Sequence, residues 1–147
     1  MKKKILKWVI IISVLLTLIA IFNISRNRWV LTSQIERVEF RGYDVDCESP
    51  AAVYVTLTDK DARKLSFYYS FAFYAGEVNA EGCASDFGFI IHLKDGTKIH
   101  AREAEFSKIE IDLPNGTTYW LKSKTLTSYA NKLVEKYQLP GPYPTGQ

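Results

Sequence analysis

Two glycine-centred turns constrain this chain more than any other feature. The first lies in FIIHLKDGTKIHA, Phe89–Ala101, and the second is Pro114-Asn115-Gly116. A two-residue Asp95-Gly96 turn would pair Ile91 with His100 and Leu93 with Lys98, mixing apolar and polar side chains on each face. A three-residue loop, Lys94-Asp95-Gly96 with glycine left-handed, instead pairs Leu93 with Thr97, Ile91 with Ile99 and Phe89 with Ala101. That register collects the apolar residues on one face, which is what fixes pairing in a half-buried hairpin. Ile90, His92, Lys98, His100 and Arg102 then share the opposite face, so the only two histidines of the chain point away from the core. The second turn repeats the logic. It pairs Ile111 with Tyr119 and Ile109 with Leu121, and sends Glu110, Asp112, Thr118 and Trp120 to the other side.

Upstream, QIERVEFRGY reads as a strand from Gln34, and AAVYVTLT as a second strand with Val53, Val55 and Leu57 opposite Tyr54 and Thr56. Thr58-Asp59-Lys60-Asp61 is a capping pattern, and Ala62, Leu65, Tyr69 and Ala72 follow at helical spacing. The stretch FYYSFAFY, Phe67–Tyr74, satisfies both helical and alternating periods; a helix to about residue 73, ended by Gly76, is expected. Ser123 caps a last helix with the stripe Leu126, Tyr129, Ala130, Leu133 and Tyr137, and Leu139-Pro140 stops it. The predicted class is α+β: strand, strand, helix, four strands, helix, as an antiparallel sheet with two helices on one face. From the second strand onward this element order resembles the repeat unit of the TATA-box-binding-protein fold. The resemblance is one of order alone and implies no function.

The N-terminus predicts a transmembrane helix. Lys2, Lys3, Lys4 and Lys7 precede an uncharged run from Trp8 to Ile24, which rises about 25 Å as a helix. A cleaved signal peptide is the rival reading, but Leu18-Ile19-Ala20 lacks the small residue at −3 and the run exceeds a usual apolar core of such peptides. The expected organisation is a cytoplasmic basic stub at 1–7, an anchor at 8–24, a juxtamembrane linker at 25–33, an extracytoplasmic domain at 34–139 and a flexible tail at 140–147. Arg26, Arg28, Arg37 and Arg41 balance the lysines in number. The clustered lysines decide for an inside N-terminus and a single-pass cell-membrane location.

All 16 acidic residues lie after Arg28, where they outnumber 13 of the 19 bases, so that part of the chain carries −3 against +3 for the whole. A nucleic-acid partner is excluded on that balance. Cys47 and Cys83 match neither a zinc spacing nor a redox pair, and outside the cytoplasm a disulfide between them is expected.

No nucleophile elbow, Ser-x-x-Lys pair or phosphate loop occurs, so no catalytic residue is assigned. His92 and His100 fall short of the three ligands that zinc takes, and their neighbours Lys98 and Arg102 repel a cation. Asp44, Asp46 and Glu48 alternate as in calcium loops but lack the twelve-residue frame. No metal or cofactor is expected. Tyr54, Ile90, His92, His100, Arg102 and Trp120 form the expected binding face, rich in the residue types found at interfaces. The expected function is a non-catalytic interaction module of accessory, inhibitor or immunity type, held at the membrane by its N-terminal helix and facing a protein or envelope partner. A small extracytoplasmic hydrolase or metal-dependent enzyme on the same face is the alternative.

Overall fold

Both glycine turns form as the alternation requires. In the computed structural model, which describes residues 2–27, 30, 32–43, 53–77, 85–104 and 108–141, Gly96 and Gly116 take φ of 82° and 79°. The Leu93 N–H donates to the Thr97 carbonyl at 2.9 Å and the Leu113 N–H to that of Thr117 at 3.0 Å. Asp95 and Asn115 accept from the N–H groups of Thr97 and Thr117, closing each loop on its own side chain. The paired strands are β4 (Gly88–Leu93) with β5 (Lys98–Ala104), and β6 (Lys108–Asp112) with β7 (Thr118–Lys122). Ile91 faces Ile99, Phe89 faces Ala101, Ile111 faces Tyr119 and Ile109 faces Leu121.

The remaining elements are α1 (Lys2–Asn27), a 3₁₀ turn (Thr32–Gln34), β1 (Ile35–Arg41), β2 (Val55–Thr56), α2 (Asp59–Ser70), β3 (Phe73–Glu77) and α3 (Lys124–Lys136). The protein is α+β, and its described residues form three α-helices and one seven-stranded antiparallel sheet in the order β2-β1-β4-β5-β6-β7-β3. Leu65 and Tyr69 of α2 and Leu126, Ala130 and Leu133 of α3 are buried with Phe40, Phe89, Ile91, Ile99, Ile109, Ile111 and Leu121 in one core. Burying a side chain of this size contributes roughly 1.5–3 kcal/mol, which makes the helix-facing side of the sheet the main source of stability.

Several expectations are corrected. The ambiguous aromatic stretch divides: α2 stops at Ser70, and Phe73–Glu77 is a fifth strand after the helix, so the expected strand count and the TATA-box-binding-protein-like order do not hold. The alternating period wins there because β7 offers an unpaired edge. Tyr74 pairs opposite Leu121 and packs edge-on against Tyr119 at 5.8 Å. Gly76, with φ of 126°, accommodates the register irregularity that follows. Within the expected linker, Val30 is buried in the core and exchanges hydrogen bonds with the Ser70 hydroxyl of α2. At the other terminus the Pro140 carbonyl accepts from the Tyr43 N–H at 2.7 Å.

The transmembrane helix, and with it the membrane partner and the single-pass cell-membrane location, is also corrected. Among the described residues no helix is long and apolar enough to cross a membrane. The described side chains of α1 run without a break from Lys4 to Ile19. They include Lys4 and Lys7 beside the apolar residues from Trp8 to Ile19. Those apolar side chains are exposed, from 45% at Ile11 to 65% at Trp8. The expected disulfide is withdrawn as well: no bridge is present among the described residues, and Cys47 and Cys83 lie outside them.

The start of α2 and the end of α3 are joined through Asp61, which is buried. Its carboxylate accepts from the Thr58 hydroxyl at 2.9 Å, Tyr129 at 3.0 Å, Tyr137 at 2.8 Å and Lys136 at 2.5 Å. Tyr137 in turn accepts from the Thr58 N–H at 3.1 Å, completing the helix cap. Burial alone would raise the Asp61 pKa, but hydrogen bonds from Lys136, then Tyr137, Thr58 and Tyr129, hold it well below the carboxylate range. Stability from this group is therefore present above its unfolded value of 3.8 and is lost as pH falls toward the folded value. Asp61→Ala is expected to lower unfolding stability by about 2–4 kcal/mol at pH 7. The gap between variant and native protein should narrow as urea titrations move from pH 5 to pH 2.

Candidate functional site

Strand register sets out the helix-free face as three rows. The first runs Arg37, His92, Lys98 across β1, β4 and β5. The second runs Glu39, Ile90, His100, Asp112, Thr118 from β1 to β7. The third runs Arg41, Gly88, Arg102, Glu110, Trp120. Thr56 pairs with Glu39, which places Tyr54 beyond the β2 edge of this face, 40% exposed. The structure thus brings Ile90, His92, His100, Arg102 and Trp120 together on one surface, with Tyr54 at its margin.

The two histidines have different surroundings. His92 is buried, and its Nε2 lies 3.1 Å from Glu39 Oε2, a close contact without the alignment of a hydrogen bond. Glu39 also accepts from Arg37 Nε at 3.1 Å. Burial works to raise the Glu39 pKa, but the hydrogen bond and charge of Arg37 and the close approach of His92 outweigh it, so the group sits below its ordinary value. His100 is exposed at its rim. Loss of water among its strand neighbours lowers its pKa, Asp112 pulls the other way, and Lys98 and His92 add to the lowering. A neutral imidazole at neutral pH both donates and accepts hydrogen bonds.

The third row depends on a glycine. A Cβ at Gly88 would come within 2.8 Å of Arg41 Nε and 3.1 Å of its Cζ, so only glycine lets that guanidinium lie across β4. From there Arg41 donates to the Ser85 hydroxyl at 2.9 Å and to the Gly42 carbonyl at 3.3 Å. Arg102 donates to Glu110 Oε1 at 2.5 Å, and Glu110 is only 2% exposed. Lys108 Nζ stands 3.8 Å from the centre of the Trp120 ring, a cation–π contact. Glu110 Oε2 and Trp120 Nε1 are buried without hydrogen-bond partners, a state that costs roughly 1–3 kcal/mol for each group.

Charge is segregated by this arrangement. Arg37, Arg41, Lys98, Arg102, Lys108 and Lys122 against Glu39, Glu110 and Asp112 leave the face at +3, while the chain after Arg28 is −3 overall. Among the described residues no three His, Cys, Asp or Glu side chains are grouped to hold a metal ion. Asp44, Asp46 and Glu48 lie outside the described residues. Glu39 and Arg41 were missed as site residues, although the alternation of Arg37, Glu39 and Arg41 with Val38 and Phe40 was visible in β1. No protein family, curated protein or solved structure matches the chain.

A second titrating group lies on the helix-facing side of β5. Glu103 is 8% exposed, opposite Ile109. Burial first, then the charge and hydrogen bond of Asp86, raise its pKa from 4.5 to about 7. A carboxyl whose folded pKa is raised contributes stability below its unfolded value, and that contribution disappears as pH rises through about 7. Glu103→Gln is expected to be more stable than the native protein at pH 8, by about 2–3 kcal/mol, with the advantage vanishing near pH 4.5. Urea midpoints measured across that range check it.

Proposed function

We propose that the protein is a non-catalytic binding module whose helix-free sheet face holds an acidic protein partner. The observation that carries this reading is the concentration of six cationic side chains, a neutral histidine and an indole on one face of a chain region whose net charge is −3. Electrostatic complementarity of this kind raises association rates and rejects partners of the wrong sign. Indole and arginine supply contact area that a purely solvated sheet does not need. The partly buried pairs Arg102–Glu110 and Glu39–His92 hold the rows in place, so the recognition elements are preorganised. Accessory, inhibitor and immunity-type roles all use such a surface.

Panning the full chain against a displayed library of Asp- and Glu-rich peptides tests the reading. Selected peptides should lose affinity at least tenfold against Lys98→Glu and against the double variant His100→Ala/Trp120→Ala, and should weaken as salt rises from low to physiological strength. Peptides indifferent to both variants would overturn it.

A further inference from the structure

A second surface lies past the Trp120 end of the third row, where α2 ends and β3 begins, and shares Lys122 with the helix-free face. Phe67, Phe71 and Phe73 are 58%, 50% and 66% exposed. They are close in sequence and form one patch: the Phe67 and Phe71 rings are neighbours one helical turn apart, 4.8 Å between centres. An open recess of about 740 Å³ adjoins Phe67 and is bordered by Lys60, Arg63 and Lys64, with Asp59 as its one acid. A second recess of about 430 Å³ holds Phe71 and Phe73 with Tyr68, and Lys122 and Lys124 border it. Two open recesses therefore flank the tilted pair of rings, and five cations border them.

We propose that this surface docks an acidic amphipathic peptide segment of a partner protein, distinct from whatever the helix-free face binds. Apolar side chains about two turns apart on such a segment enter the two recesses, and its carboxylates meet Lys60, Lys64 and Lys124. Three features favour this occupant. The phenylalanines line hollows, which accept protruding side chains, whereas a lipid surface is best met by a convex ridge. A second copy of the chain would bring its own five cations to the same place, and like charges oppose that pairing. Exposed aromatic residues in a contiguous group mark interaction sites more often than plain surface.

The test uses the full chain and a fluorescein-labelled amphipathic peptide with Leu at i, i+4 and i+7 and Glu on the remaining positions, beside a scrambled peptide of the same composition. The peptide should bind at least tenfold more tightly than its scrambled form. Phe67→Ser/Phe73→Ser and Lys60→Glu/Lys124→Glu should each weaken it at least tenfold, and Lys132→Glu, an exposed α3 position outside both surfaces, should leave it unchanged. Every substituted side chain except Phe67 and Phe73 is a surface cation, so the lysine pair remains a valid probe if the phenylalanine pair lowers folding. Binding that is unaffected by both double variants, or equal for the scrambled peptide, overturns the proposal. Failure of the native chain to bind the peptide while it binds vesicles of phosphatidylglycerol through the same residues assigns the patch to an anionic lipid surface and overturns it too.

Discussion

The structure depends on a register set by two left-handed glycines. With Gly96 and Gly116 in place, each hairpin has one pairing that keeps Ile91, Ile99, Ile109, Ile111 and Leu121 under the helices. A slip of one residue would send all of them to water and bring Lys98, His100 and Glu110 into the core. The same constraint therefore creates the hydrophobic core and the charged face. The binding surface is the other side of the pattern that makes the protein fold.

Much of this was legible because hairpin pairing is local. The registers of β4 with β5 and β6 with β7 follow from turn chemistry and alternation within about 15 residues. The caps at Thr58 and Ser123 follow likewise from single residues whose oxygens meet Asp61 and Leu126 N–H groups. What escaped the sequence reading involves distant partners. FYYSFAFY fits two periods equally well, and the choice is made by β7, whose outer edge takes Phe73–Glu77. The close contact of His92 with Glu39 joins strands separated by a large part of the chain. No local pattern announces that pairing, so one histidine expected at an open surface is instead buried.

The N-terminal segment shows a different limit. Composition alone made Trp8–Ile24 a membrane span, yet among the described residues no helix meets the length and apolarity needed. The body of the protein does not depend on that assignment. Val30 sits in the core and is bonded to Ser70, so that residue is part of the packed domain. Asp61 then ties α2 to α3 through two tyrosines and a lysine, holding both helices over one side of the sheet.

The central claim is that the helix-free face is where this protein meets its partner. The most direct measurement is chemical-shift mapping of the labelled full chain as an acidic peptide selected for binding is added. The account predicts perturbations gathered at Lys98, His100, Arg102 and the Trp120 indole N–H, which has no acceptor among the described residues. Shifts that leave those four unchanged, whether gathered at the α2–β3 edge or spread over α3, would contradict it.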